Sequence, residues 1–157
     1  MLSQAFELCE DGNFTESLKL YDKIIQEYPE NINALIDKGV TLQNIGRLKQ
    51  SIKFYDKALK INTNHLDALI NKGSALHTLE KYSEAITCYD MAIKIDKKCA
   101  MALAYKGLSL GEQGNLQDAI KHFKKALTID RNYDLANISK KLAQNLLKDS
   151  RKKSKTL

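Results

Sequence analysis

The string Ala34-Leu35-Ile36-Asp37-Lys38-Gly39 returns as Ala68-Leu69-Ile70-Asn71-Lys72-Gly73 and again as Ala102-Leu103-Ala104-Tyr105-Lys106-Gly107, each time 34 residues further on. The register extends outward from these strings without a gap. Tyr21, Tyr55, Tyr89 and Phe123 fall in line, as do Leu8, Leu42, Leu76 and Leu110, and Ala58, Ala92 and Ala126. Gly12, Gly46 and Gly114 share another position, where Glu80 is the one substitution. A period of this length signals stacked repeats, and it takes precedence over any local secondary-structure reading.

Inside a unit the apolar residues keep helical spacing, as in Leu35, Gly39 and Leu42, then Ile52, Tyr55, Ala58 and Leu59. The break at Gly46-Arg47 separates the two stretches, and polar clusters such as Asn62-Thr63-Asn64 close the unit. Each unit therefore predicts an antiparallel helix pair, A followed by B. Gly39, Gly73 and Gly107 let helix B approach helix A closely, and Ala58, Ala92 and Ala126 let the next helix A approach B. One pair cannot bury both of its apolar faces, whereas pairs stacked in sequence can.

These residues resemble the tetratricopeptide repeat, whose 34-residue unit carries W-x2-L-G-x2-Y, then A-x3-F, then a closing proline. Residues 32–65 place Leu35 in the tryptophan slot, Gly39 in the glycine slot, Leu42 at the first tyrosine and Ser51 with Tyr55 for A-x3-F. Residues 66–99 supply Gly73, Ala85, Tyr89 and Ala92, and residues 100–133 supply Gly107, Ala119, Phe123 and Ala126. Residues 1–31 form a first repeat short of its opening residues, with Ala5 in the glycine slot and Ser17 before Tyr21. Pro29 alone fills the closing-proline slot. Lys38, Lys72 and Lys106 replace the leucine before the glycine, which predicts aliphatic stems lying on the helix with amines reaching water. The resemblance implies an all-α fold, a right-handed solenoid of four helix-turn-helix repeats.

After Tyr133 the pattern fades, yet Leu135, Ile138, Leu142 and Leu146 keep one apolar stripe while Lys140, Lys141 and Asn145 lie off it. Residues 134–148 read as a capping helix that closes the stack with its apolar side. Residues 149–157 lack apolar periodicity and read as a disordered basic tail. Of the net charge of +6, +4 belongs to residues 148–157, so the repeats themselves are close to neutral. The tail offers a second functional reading, nucleic acid or an anionic surface, but it holds no aromatic residue for base stacking. The uncovered first helix, with Leu2, Ala5 and Phe6, invites a homodimer.

The composition is 43% hydrophobic and 28% charged, with a single proline and no tryptophan, which suits a helical globular chain. No apolar run is long enough to span a membrane, and the first residues enter an amphipathic pattern rather than a signal core. Cys9, Cys88 and Cys99 are odd in number and widely spaced, which fits a reducing, cytoplasmic setting and excludes a disulfide framework.

No phosphate-binding glycine loop, nucleophile elbow, HExxH string or calcium loop occurs, so an enzyme is not expected. His122 lies one repeat after Cys88, but two ligands fall short of a zinc set, and no metal or cofactor is expected. What remains is surface. In tetratricopeptide proteins the A helices line a concave groove that takes ligands. Counting from the glycine, the corresponding positions here are Ile36, Asp37, Val40 and Asn44, then Ile70, Asn71, Ser74 and His77, then Met101, Tyr105 and Leu108. The expectation is a protein or peptide partner in this groove, with Ile36, Ile70 and Leu108 partly exposed. Glu10, Asp37, Asp67 and Glu112 favour a neutral or basic segment over an acidic tail.

Overall fold

A computed structural model describes residues 1–153, and every element in it is an α-helix. They are α1 (Leu2–Glu10), α2 (Phe14–Glu27), α3 (Ile32–Asn44), α4 (Leu48–Ile61), α5 (Leu66–Thr78), α6 (Tyr82–Ile95), α7 (Ala100–Glu112), α8 (Leu116–Ile129) and α9 (Asp134–Lys153). The repeat register reappears in the capping. Asn31 Oδ1 accepts from Ala34 N at 3.0 Å, His65 Nδ1 from Ala68 N at 3.4 Å and Cys99 Sγ from Ala102 N at 3.5 Å. Three chemically different side chains thus satisfy the same orphan amide at the start of α3, α5 and α7.

The turn between helices A and B needs one residue in the left-handed region, and Gly12, Gly46 and Gly114 supply it at φ of 79°, 75° and 82°. Glu80 takes the same conformation at φ 61° despite its Cβ, so this position is set by the turn rather than by the residue.

The chain divides into two compact units, one ending at Glu80 and the other beginning at Lys81. In the first, α1 to α5 pack in chain order. Leu35, Ile36, Tyr55, Ala58, Ala68 and Ala75 make one buried cluster, and Ala5, Tyr21, Ile24 and Ala34 make another. In the second unit Leu103, Ala104, Ala119, Ile120, Phe123 and Ala126 are buried together with Ala136 and Ala143 of α9. The glycine slots explain how closely the hairpin helices approach. A Cβ on Gly39 would lie 2.5 Å from the Tyr55 ring, and one on Gly107 would lie 2.7 Å from the Phe123 ring.

The lysines before those glycines differ from expectation. Lys38 is buried and pairs with Asp22, Lys72 Nζ lies 2.7 Å from Asp56 Oδ1, and Lys106 Nζ lies 2.6 Å from Asp90 Oδ1. Each lysine of a helix A therefore meets a carboxylate of the preceding helix B, and Lys38 also sits 4.3 Å from the Phe54 ring centre. Stacking brings the two helices together and turns a snorkelling amine into an ion pair across the junction.

Tyr21 shows what a changed neighbour does. The Tyr55 hydroxyl donates to Gln43 Oε1 at 3.0 Å, but Cys9 stands in the equivalent place one repeat earlier. There the Cys9 sulfur accepts from Thr41 Oγ1 at 3.3 Å, and the buried Tyr21 hydroxyl is left without a partner among the described residues.

Two expectations at the C-terminal end are corrected. The helix does not stop at residue 148 but runs to Lys153, so residues 149–153 are helical rather than disordered; residues 154–157 lie outside the described residues. No glycine or proline interrupts this stretch, and Arg151 and Lys152 place cations in the last turns, where the helix dipole favours them. The second correction concerns the side that packs. α9 meets the second unit's core through Ala136, Ala143 and Leu147, while Ile138, Leu142 and Leu146 of the expected packing stripe are 67%, 60% and 49% exposed. The repeat register puts Ala136 where Ala34, Ala68 and Ala102 are buried in the earlier A helices, whereas Ile138 holds the place of Ile36, which is buried in the first unit by the following A helix.

Candidate interaction surfaces

The expected groove residues separate into groups when placed in the fold. In the first unit Ile36 and Ile70 are each only 6% exposed, so the expectation of partial exposure is corrected for both. Ile36 shares a buried cluster with Ala68 and Ala75 of α5, where covering by the following A helix removes it from water. Asp37, Val40, Asn71, Ser74 and His77 are half-buried, and Asn44 is exposed. A polar chain ties this surface together: Tyr55 donates to Gln43, and Gln43 Nε2 donates to Ser74 Oγ at 3.2 Å, joining α3 to α5. Ser74 is thereby engaged within the fold, and its neighbour Asn71 is half-buried.

Asp37 is held at a cost. Loss of water around its carboxylate raises its pKa above the ordinary 3.8, so ionisation at neutral pH works against folding. We expect Asp37→Asn to raise the melting temperature at pH 7. The gain should fade as pH falls through the raised pKa toward 3.8, since below it the wild-type carboxyl is protonated in both folded and unfolded chains. Melting curves between pH 3 and pH 7 decide it, and a gain independent of pH would contradict this origin.

In the second unit Met101 is 45% exposed, and Tyr105 and Leu108 are half-buried. Tyr105 lies with its ring centre 5.9 Å from that of Tyr89, in a tilted pair. The helix that continues this surface is α9. In the 34-residue register Ile138 stands where Ile36, Ile70 and Ala104 stand, Leu142 where Val40 and Leu108 stand, and Leu146 where Asn44 and Glu112 stand. α9 is therefore an A helix in position, and its exposed Ile138, Leu142 and Leu146 extend the apolar row of α7. Hydrophobic spacing alone shows these residues as a packing stripe, and carrying the 34-residue register one period further places them on the inner face.

The histidine and cysteine candidates have ordinary surroundings. His122 Nδ1 lies 2.9 Å from the Asp118 carbonyl oxygen, and burial pushes its pKa below the usual imidazole value. None of the three cysteines forms a disulfide with a described residue; Cys9 and Cys88 are buried, and Cys99 is half-buried as a helix cap. Among the described residues no group of three or more histidines, cysteines and carboxylates is arranged to hold a metal, and no helix is long and apolar enough to cross a membrane.

Comparison with known proteins gives a consistent picture of the fold. Family models of the tetratricopeptide repeat match residues 32–65, 66–99 and 100–133, a continuous stretch over most of the chain. Sequence comparison with curated proteins returns no match. Among solved structures, a crystal structure of MamA protein is similar at 24% identity and a TM-score of 0.80, covering 92% of this chain and 81% of that one. MamA from residue 41 to its end, from Desulfovibrio magneticus RS-1, is similar at 20% identity and a TM-score of 0.76, covering 98% of this chain and 93% of its own. The first repeat domain of Spaghetti (RPAP3), bound to the HSP90 peptide SRMEEVD, is similar at 20% identity and a TM-score of 0.72, covering 74% and 92%.

Proposed function

The chain belongs to the tetratricopeptide-repeat family, and from that premise we propose that it is a non-catalytic protein-interaction scaffold that holds a peptide or helix of a partner on the inner faces of its A helices. The observation that carries this is the apolar row of the second unit, where Met101, Ile138, Leu142 and Leu146 stay exposed beside Leu108. A soluble chain gains nothing from keeping such a row in water, and burial of each large aliphatic side chain by a partner contributes about 1.5–3 kcal/mol. The similar domain of Spaghetti holds a peptide, which supports the same use of this fold.

The first unit offers a more polar surface with a different preference. Asp37, already destabilised by burial, gains from a cationic or hydrogen-bonding group, and Asn71 offers both a donor and an acceptor to a partner backbone. A neutral or basic segment suits this face, with Val40 and Asn44 beside it. Cysteines held outside any disulfide suit a reducing compartment such as the cytoplasm.

The test is a double substitution, Met101→Glu with Leu142→Glu, in the full chain. Both residues are exposed, so the melting temperature should stay within a few degrees, while recovery of cross-linked partners from native lysate should fall at least about tenfold. Undiminished recovery of the same partners would remove the second unit's row from the interaction surface.

A further inference from the structure

We propose that the cleft between the C-terminal ends of α6 and α8 receives an acidic segment of another protein, one that carries large aliphatic side chains among its carboxylates. This inference rests on the interaction-scaffold reading and adds to it a second surface, which shares no residue with the inner row.

The cleft holds about 510 Å³ and lies wholly in the second unit. Its floor is aliphatic, made by Ile93 of α6, Leu103 of α7 and Ile129 of α8. Lys94, Lys97, Lys98 and Lys125 line it as well, and all four are exposed. Among the described residues no carboxylate and no aromatic side chain lines the cleft, and none of these four lysines takes part in an ion pair. The carboxylates next to it in sequence close the turns after the two helices. Asp96 Oδ1 accepts from Lys98 N at 2.9 Å, and Asp130 Oδ1 accepts from Asn132 N at 3.0 Å.

The repeat register separates what the stacking needs from what it does not. Two repeats earlier, Ile25, Leu35 and Ile61 hold the floor positions, so the aliphatic floor belongs to the helix packing. At the lysine positions the earlier junction has Gln26, Pro29, Glu30 and Lys57, with Lys60 where Thr128 stands. That junction packs with a carboxylate beside two cations, so the stacking does not require four lysines at the later one. Nor does the helix dipole. A cation is favoured beside the last carbonyls of α6, yet α2 ends on Glu27 with no basic residue in its last turn.

Uncompensated like charges over an apolar floor select the partner. Carboxylates relieve the repulsion among the lysines, and an aliphatic side chain between them covers Ile93 and Ile129, the second of which is 41% exposed. A nucleic acid fits less well, because the cleft has no aromatic ring on which a base could stack. The exposed turn Glu27-Tyr28-Pro29-Glu30 gives this chain an acidic segment of its own, so self-association is measured directly.

The experiment uses the full chain and three fluorescently labelled peptides of equal length. The first carries glutamates around a pair of leucines, the second has glutamines for the glutamates, and the third has alanines for the leucines. Fluorescence anisotropy should show the first peptide binding at least about tenfold more tightly than either of the others, and weakening as salt rises. Lys94→Gln with Lys97→Gln and Lys98→Gln should reduce that binding at least about tenfold while the melting temperature holds. Lys141→Gln with Lys148→Gln, two exposed lysines of α9, should leave it unchanged. An equal loss in both variants would overturn the cleft and assign the affinity to net charge. Equal binding of the glutamine peptide would overturn the acidic assignment, and equal binding of the alanine peptide would overturn the role of the floor. An RNA oligonucleotide that binds more tightly than the first peptide, through the same three lysines, would overturn the proposal in favour of nucleic acid. Sedimentation showing self-association that Glu27→Gln with Glu30→Gln abolishes would overturn it in favour of a second copy. Binding of none of the peptides would overturn the proposal alone, since partner recovery with the Met101→Glu and Leu142→Glu chain judges the scaffold reading separately.

Discussion

Ile70→Glu is expected to cost about 3–5 kcal/mol of stability, the range found when a charge is left buried without a partner, whereas Leu142→Glu is expected to change stability by no more than about 0.5 kcal/mol. Both positions carry aliphatic residues at inner-face positions of A helices, so composition and helical position do not separate them. Exposure does: 6% for Ile70 against 60% for Leu142. A glutamate at 70 also loses the burial of the isoleucine, worth about 1.5–3 kcal/mol, while a glutamate at 142 keeps its water. Because whole domains are stable by only about 5–15 kcal/mol, the first variant should be largely unfolded by concentrations of urea that leave the second intact. The cost at 70 should shrink on acidification, since the introduced carboxyl has a raised folded-state pKa and its penalty disappears once it is protonated. Urea melts followed by circular dichroism, at pH 7 and near pH 4, measure both effects. Equal midpoints for the two variants at pH 7 would show that Ile70 is not packing the fold.

Gly39→Leu should be comparably damaging, by more than about 3 kcal/mol, for a reason that involves no polarity. A methyl carbon there would already stand 2.5 Å from the buried Tyr55 ring, and the rest of a leucine side chain has no free volume to enter. Gly107 faces Phe123 in the same way, at 2.7 Å. The helix-propensity gain on replacing glycine, about 1 kcal/mol, is too small to offset the overlap. Tyr55→Ala alone should cost about 3–5 kcal/mol through the cavity it leaves, with the hydrogen bond to Gln43 lost as well. Combined, the two changes should cost clearly less than their sum, because the leucine occupies space vacated by the ring. Additive costs in this double-mutant cycle would contradict the helix contact at Gly39.

The ion pairs at the helix junctions recur with the repeat. Asp22, Asp56 and Asp90 recur at the repeat interval just as Lys38, Lys72 and Lys106 do, so both partners of each ion pair were present in the periodic pattern. Spacing within one helix says nothing about which helix lies across the junction, so the pairing is decided only by the packing of helices. Tyr21 and Tyr55 are equally periodic, yet only one hydroxyl finds an acceptor, since the decisive difference lies at Cys9 and Gln43 on another helix.

Fold class and repeat register were contained in the amino-acid order, because a 34-residue period carries helix length, turn position and small-residue contacts at once. The placement of Gly39, Tyr55 and Ala58 at a close helix contact followed from that order alone. Exposure did not. Ile36, Ile70 and Ile138 hold equivalent positions with similar side chains, and the neighbouring helix that covers Ile36 is what separates it from Ile138. Hydrophobicity ranks Ile138, Leu142 and Leu146 above Ala136 and Ala143 as packing residues, yet the face of α9 that meets the core is the one carrying the two alanines and Leu147, and the row of larger aliphatics lies on the face left to water. Local periodicity determines which residues share a helix face, and only the packing of helices distant in sequence decides which face meets protein and which meets water.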